Sequence, residues 1–91
     1  MNTETKAPEI ALFPDDESSQ LHAYGYDPTT QTLAIQFKRT VDGKRVGGSV
    51  YHYANVTPGA YNAFVKSDSK GSHFGIHIKP HADKFPFRKV A

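Results

Sequence analysis

The sequence predicts an α+β domain: a three-stranded antiparallel meander followed by one helix and a short C-terminal helical turn or strand. Two turn signals, Asp27-Pro28 and Asp42-Gly43, separate three segments rich in β-branched and aromatic residues. Thr57-Pro58 then indicates a helix start, because threonine caps helices and proline is favoured at the first helical position. With 91 residues, the chain has the length of one domain.

The first two strands are predicted to form a hairpin around Asp27-Pro28. In the first strand, alternation places Leu21, Ala23 and Gly25 on one side and His22, Tyr24 and Tyr26 on the other. In the second strand, residues 32–38 alternate strictly, and the apolar side carries Leu33, Ile35 and Phe37. Half-buried strands have this pattern, so we expect the apolar side of the second strand in the core.

The third strand is predicted over residues 49–56 and places Tyr51 and Tyr53 on one side. Two interpretations are open. If the tyrosines face outward, they form a stacking platform for nucleobases. If they face the helix, they belong to the core. The opposite set, Val50, His52 and Ala54, is less apolar than a core side should be, which favours the second interpretation.

The predicted helix covers residues 58–67. Its apolar stripe consists of Tyr61, Phe64 and Val65. We expect the helix to end before Gly71, which can adopt a left-handed backbone conformation. Residues 72–80 are compatible with a strand or with a short helix, because Phe74 and Ile78 fit both periodicities.

Charge divides the chain into an acidic leading segment and a basic remainder. Residues 1–17 are predicted to be a flexible acidic segment, and residues 18–91 to be the folded domain. The first 20 residues hold five acidic side chains and one lysine, a net charge of −4. Residues 21–91 hold ten basic and four acidic side chains, a net charge of +6, which attracts phosphate-bearing partners. Ile10, Leu12 and Phe13 are expected to dock on the domain.

Composition restricts the cellular setting. Cysteine is absent, which excludes disulfides and thiolate metal sites. No apolar run approaches the roughly 18 residues of a membrane-spanning helix, and the N-terminal residues lack the pattern of a secretory signal. We therefore expect a soluble cytoplasmic protein without a membrane partner. The modest core of so short a chain favours a homodimer.

The order of several short motifs resembles the KTSC domain family. These motifs are Tyr51-His52-Tyr53, Val56 before the proline-started helix, Tyr61, Phe64, Ser69-Lys70-Gly71, Phe74 and Ile78. KTSC domains occur at the C-terminus of some lysyl-tRNA synthetases and alone in small bacterial and phage proteins. The resemblance implies an α+β fold, favours a helical turn over residues 72–79 and suggests RNA binding. The basic loop at residues 42–48 looks longer than is usual in the family.

Metal and catalytic sites are not predicted. Three histidines are spaced by four residues, at His73, His77 and His81. Gly75 and Pro80 disfavour the continuous helix that would bring all three together. A local Ser–His–Asp set lacks the surroundings of a nucleophile elbow. We therefore expect a non-catalytic domain with no cofactor.

A binding surface for RNA or a nucleotide-like small molecule is the leading functional prediction. Tyrosines would supply stacking, basic side chains would hold phosphates, and the turn at Ser69-Lys70-Gly71 would offer backbone N–H groups. The predicted site residues are Lys38, Lys44, Arg45, Tyr51, Tyr53, Lys66, Ser69, Lys70, Gly71, His73 and Arg88, with Lys79 as a further cation.

The alternative is a protein-interaction module, such as an accessory protein of a phage or mobile element that docks on a host protein. This alternative predicts an exposed apolar patch around Phe85 and Phe87. It also predicts that neutralising Lys44 and Arg45 has little effect on binding.

Overall fold

The computed structural model describes residues 10–14 and 21–91. Within these ranges, five strands form one antiparallel sheet in chain order: β1 (Phe13–Pro14), β2 (Leu21–Asp27), β3 (Thr32–Val41), β4 (Lys44–Tyr53) and β5 (Phe87–Lys89). Two helices, α1 (Pro58–Lys66) and α2 (Lys70–His77), follow β4 and pack on one face of the sheet. The predicted α+β class is confirmed.

The sheet has more strands than the sequence pattern predicts. The predicted meander is present as β2, β3 and β4, but β1 and β5 extend it at the two edges. β1 contains two residues and β5 three, and segments this short show no detectable alternation. The prediction of a three-stranded sheet is therefore wrong in number.

The hairpin between β3 and β4 turns at Asp42 and Gly43, as this dipeptide predicts. Their φ angles are 52° and 77°, and a type I′ turn requires positive φ at both central residues. The strands extend further toward the turn than predicted, because Val41 and Lys44 already pair with each other.

An irregularity in β2 overrides its predicted alternation. The register with β3 shifts between Leu21 and Ala23. As a result, Leu21 lies in the same core as Tyr24 and Tyr26, although strict alternation places it on the opposite side. One additional residue in a strand reverses the direction of the side chains beyond it.

α1 begins at the predicted position. The Thr57 hydroxyl accepts a hydrogen bond from the Ala60 N–H at 3.2 Å, and Pro58 is the first helical residue. The predicted apolar stripe is confirmed, with Phe64 fully buried and its neighbours packed on the core. In the described ranges, 10–14 and 21–91, no helix is long and apolar enough to cross a membrane.

The predicted end of the helix near Ser67 is confirmed, but Gly71 does not supply the left-handed backbone conformation expected there. α1 already ends at Lys66, where Ser67 is extended. Ser69 then starts α2, since its hydroxyl accepts a hydrogen bond from the Ser72 N–H at 3.3 Å. Gly71 lies inside α2, and the helical alternative for residues 72–80 is confirmed as far as His77.

The core lies between the sheet and the two helices. Its fully buried side chains are Leu21, Leu33, Ile35, Val56, Phe64, Phe74 and Ile78. Two aromatic pairs join the layers edge to face: Tyr24 with Phe64 at 5.3 Å and Tyr53 with Phe74 at 5.0 Å between ring centroids. Each such pair contributes about 0.5–1.5 kcal/mol beyond the burial of its surface.

The opposite face of the sheet is lined by small side chains beside a histidine. Gly25, Ala34 and His52 are neighbours across three strands and all are buried. The backbone of Ala11 crosses over Gly25, so part of the leading segment docks on the domain as expected. The other residues of that predicted segment, 1–9 and 15–17, lie outside the described residues.

Candidate functional site

The predicted site residues do not form one surface. Those on the β3–β4 hairpin are Lys38, Lys44 and Arg45. Lys38 pairs with Gly47 and Arg45 with Thr40, which places these two cations on one face of the hairpin. Lys44 pairs with Val41 and therefore lies on the other face together with Arg39. The basic cluster expected at the turn is thus divided between two faces.

A second group lies at the corner between α1 and α2. It consists of Lys66, Ser69, Lys70, Gly71 and His73. Gly71 is buried, and the Ser69 hydroxyl is engaged in capping α2. The Lys70 ammonium lies 5.9 Å from the ring centroid of Tyr24 in β2. These residues therefore border the β2 side of the sheet rather than the two tyrosines of β4.

His73 and His77 face each other on α2. Their ring centroids are 4.5 Å apart. Burial lowers the pKa of His73, and the charge of His77 lowers it further. Among the described residues, no group of three or more potential metal ligands is present. The predicted third histidine, His81, lies beyond the end of the helix.

Tyr51 and Tyr53 face the helices, which confirms the core interpretation. Tyr53 is only 3% exposed, and Tyr51 is half-buried against the core. The two tyrosines also line an open cleft of about 370 Å³. We call it the aromatic cleft, and its residues are Phe37, Tyr51, Tyr53, Lys79 and Phe87. The outward-facing alternative is therefore wrong, although the two core side chains also form part of the wall of this cleft.

Four rings hold each other in place around the aromatic cleft. Phe87 lies 5.4 Å from Tyr53 and 5.9 Å from Tyr51 between ring centroids. Phe37 lies 5.7 Å from Tyr51 on the other side. Phe74 of α2 supports the wall from behind, with ring centroids 5.0 Å from Tyr53 and 5.7 Å from Phe37. Phe87 is 51% exposed, so one ring of the cleft is open to a partner.

Lys79 lines the aromatic cleft, and Lys89 lies on the same face of the sheet. The Lys79 ammonium lies 5.7 Å from the ring centroid of Phe37. Lys89 pairs directly with Tyr51, and cross-strand partners share a face, so Lys89 lies on the helix side of β5. Burial, with a smaller effect of Tyr51, raises the pKa of Tyr53 to about 12. At neutral pH the cleft therefore combines neutral aromatic walls with positive charge at its border.

A second cavity lies on the opposite face of β4 and β5. Arg88 pairs with His52, so both side chains are on the face away from the helices. They line a cavity of about 280 Å³ together with Thr32, Ala54, Pro86 and Phe87. Burial lowers the pKa of His52, and the charge of Arg88 lowers it further. Arg88 is thus separated by the sheet from Tyr51 and Tyr53, with which it was predicted to form one binding surface.

Two residues that line the aromatic cleft, Phe37 and Phe87, were not among the predicted site residues. Phe37 was predicted as a core residue of its strand, and Phe87 was predicted in an exposed patch with Phe85. Phe85 is buried, so that patch is wrong at Phe85. The omission of Phe87 arises from β5, because the pairing of a three-residue strand with β4 brings Phe87 to the tyrosines. The aromatic residues near the C-terminus were the available signal.

Known proteins share the sequence pattern and the fold of this chain. The sequence model of the KTSC domain matches residues 17–81. The solved structure of a KTSC domain protein from Yersinia pestis superposes with a TM-score of 0.71. The superposition covers 91% of this chain and 100% of the other, at 32% identity.

Two relatives differ greatly in length. A protein of Stutzerimonas stutzeri described as uncharacterised is 36% identical over 64 residues, which cover 70% of this chain and 79% of the relative. A lysine–tRNA ligase of Nostoc punctiforme is 33% identical over 85 residues, which cover 91% of this chain but only 13% of that enzyme. The resemblance seen in the sequence motifs is confirmed, and the chain belongs to the KTSC domain family.

Proposed function

We propose that this domain binds single-stranded RNA by inserting a base into the aromatic cleft. The supporting observation is the combination of a half-exposed Phe87 with Tyr51 and Tyr53 in one open cleft that Lys79 also lines. Stacking of a base on an aromatic side chain contributes about 1–3 kcal/mol and is tolerant of base identity. A nucleotide-like small molecule would stack in the same cleft and is the smaller ligand of this proposal.

The size of the aromatic cleft is compatible with one planar group. Its volume of about 370 Å³ is near the lower end of known ligand pockets. A base that stacks on Phe87 would have its phosphates near Lys79, with Lys89 on the same face of the sheet. The positive net charge of residues 21–91 would strengthen this contact at low salt.

The family relationship supports a nucleic-acid ligand. A lysine–tRNA ligase is named for an RNA substrate, and a segment of the enzyme from Nostoc punctiforme is similar to 91% of this chain. The segment accounts for 13% of that enzyme, so the activity of the whole ligase is not carried over to this domain. The RNA contact alone is what we propose to be shared.

Fluorescence anisotropy with a labelled single-stranded RNA of about ten nucleotides tests the proposal. Wild-type protein should bind saturably, and the affinity should fall steeply with salt. Phe87→Ala should weaken binding about tenfold, because it removes the exposed stacking ring. Lys79→Gln should reduce the slope of log K against log salt by about 0.7, as expected for one lost phosphate contact to a single strand. Competition with adenosine monophosphate tests whether a nucleotide-like small molecule binds in the same cleft.

Matched controls separate this site from general charge and aromatic effects. Phe13→Ala removes a ring that is 61% exposed but lies on β1, at the opposite edge of the sheet. Lys66→Gln removes an exposed lysine at the end of α1. Both controls should bind RNA as the wild type does. An absence of saturable, salt-sensitive binding would contradict the proposal, as would equal losses in Phe87→Ala and Phe13→Ala.

A protein partner is the second proposal, and the β3–β4 hairpin favours it. Val41 and Val46 are exposed there and share one face with Arg39 and Lys44. A mixed apolar and basic ribbon is suited to an acidic host protein with an apolar groove. Reduced RNA affinity in Phe87→Ala with no change in Lys44→Gln would leave the hairpin available for such a partner.

A further inference from the structure

The cavity on the face away from the helices is lined by a histidine and an arginine, and neither of them lines the aromatic cleft. We call it the His52–Arg88 cavity, and it measures about 280 Å³. Its floor is β4 and its outer wall is β5 with the preceding Pro86. The sheet separates it from Tyr51 and Lys79, and Phe87 at the edge lines both cavities.

The imidazole of His52 is the first of these two groups. His52 is 8% exposed and is the one polar residue among the buried side chains of the described ranges. Its ring makes no hydrogen bond to any residue in those ranges, and it lines the cavity. Buried polar groups in folded proteins are nearly always paired with protein or water, because an unpaired group is costly. The ring therefore indicates a polar partner located in the cavity.

Arg88 determines the charge of that partner. Arg88 lines the same cavity, and Arg88 and His52 are direct cross-strand neighbours. Guanidinium groups are always charged and match carboxylate geometry with two parallel hydrogen bonds. The remaining wall includes Ala54 and Pro86, which offer no charge. A fitting ligand has a compact anionic end and a short apolar part.

We propose that the His52–Arg88 cavity binds a small organic carboxylate, with its anionic end on Arg88 and the His52 ring. The apolar part of the ligand lies against Ala54 and Pro86. Phe87 is the residue that this site shares with the RNA contact, since neither Lys79 nor Tyr51 lines the cavity. A metabolite or the free carboxylate of a peptide end has this chemistry.

Ligand binding should change the protonation of His52. Burial and the positive charge of Arg88 both lower the pKa of His52. A bound carboxylate offsets the charge of Arg88 and accepts a hydrogen bond from the ring, so the pKa of His52 should rise on binding. Among the described residues, the neighbours of His52 on β3 and the docked residues 10–14 carry no charge, which leaves Arg88 as the facing charged group. The affinity should therefore increase as the pH falls.

NMR titration of the imidazole C–H signals with sodium propionate tests this proposal. Sodium chloride at equal ionic strength is the salt control. We expect a saturable shift of the His52 signals and an upward shift of its pKa in saturating propionate. Arg88→Gln should weaken propionate binding at least about tenfold, because a charge-assisted hydrogen-bonded pair is lost.

Lys89→Gln is the matched control, because it removes the adjacent positive charge on the other face of β5. It should bind propionate as the wild type does. Equal responses to propionate and chloride would overturn the proposal, as would equal losses in Arg88→Gln and Lys89→Gln. Tighter binding of inorganic phosphate than of propionate would overturn the organic nature of the ligand. Lys79 lines the aromatic cleft and Arg88 lines this cavity, so the results of Lys79→Gln and Arg88→Gln can fail independently of each other.

Discussion

At Gly25 the absence of a side chain is required by a neighbouring backbone. A Cβ atom there would lie 1.9 Å from the carbonyl oxygen of Ala11, which crosses the sheet at this point. A backbone carbonyl cannot rotate away as a flexible side chain can. The glycine thus allows the chain before β1 to dock on the face away from the helices.

Gly25→Ala should therefore lower the free energy of unfolding by about 1–3 kcal/mol, the usual cost of overpacking. Urea unfolding followed by circular dichroism measures this change. An unchanged unfolding midpoint would show that the docking of residues 10–11 does not contribute to stability.

Gly75→Ala provides the matched control with the opposite sign. Gly75 lies in α2, and nothing lies within 4 Å of the position that its Cβ would take. Alanine is favoured over glycine in helices, so this variant should gain about 0.5–1 kcal/mol. A loss of stability in both variants would indicate a general effect of the substitution rather than the predicted close contact.

At the residue scale, the sequence predicted core side chains better than it predicted the site. Leu33, Ile35 and Phe64 follow clear periodicities, and all three are fully buried. The role of Tyr51 could not be decided from alternation, because one side of a strand can be core at one end and open at the other. Phe87 became part of the site only through pairing with a distant strand, which local patterns do not encode.

At the element scale, Ser69 shows how a motif residue is used by the fold. Its hydroxyl caps α2, although its position beside Lys70 and Gly71 suggested a phosphate-binding turn. Ser69→Ala should lower the free energy of unfolding by about 1 kcal/mol, and Ser69→Asp should restore it, because aspartate caps helices equally well.

RNA affinity distinguishes the cap from a ligand contact. If Ser69 acts only as a cap, Ser69→Asp should bind RNA as the wild type does at physiological salt. A phosphate contact at this position would instead make the aspartate variant weaker than the alanine variant, because a negative charge would face the phosphate.

Turn and capping signals in the sequence predicted the order and type of the long elements. They did not predict the short strands β1 and β5. Asp42-Gly43 and Thr57-Pro58 mark their boundaries through backbone preferences that act locally. β1 and β5 have no such signal, since their pairing depends on where the chain lies after the core has formed. The periodicity of residues 72–80 was ambiguous, so predicting the second helix also required the family resemblance.

At the scale of the whole molecule, the positive charge is distributed rather than concentrated on one face. Lys38 and Lys44 lie on opposite faces of the hairpin, and Arg88 and Lys89 on opposite faces of β5. The total charge was readable from the sequence, but its distribution depends on strand register. The fold therefore does not present the single basic face that was predicted from the sequence.

Two histidines, the buried His52 and the half-buried His73, make global stability depend on pH. The pKa values of His52 and His73 are lowered, chiefly by burial, from the usual value of 6.5. The unfolded chain therefore binds more protons than the folded chain below about pH 6.5. The stabilisation is fully present above that pH and is lost as the pH falls toward the folded-state pKa values.

Urea unfolding at a series of pH values checks this expectation. The free energy of unfolding should decrease between about pH 7.5 and 5.5 in the wild type. The double variant His52→Gln, His73→Gln should show a flatter profile over the same range, whereas His81→Gln, at an exposed position, should keep the slope. A double variant with an unchanged slope would assign the pH dependence to other groups.

Phe87 lines both the aromatic cleft and the cavity on the other face. A ligand that shifts β5 from either side thus changes the shape of the other compartment. If the two ligands favour the same position of this strand, each will increase the affinity for the other by the same factor, as thermodynamic reciprocity requires. The three-residue edge strand β5, which pairs with β4, would then couple two ligands that do not contact each other.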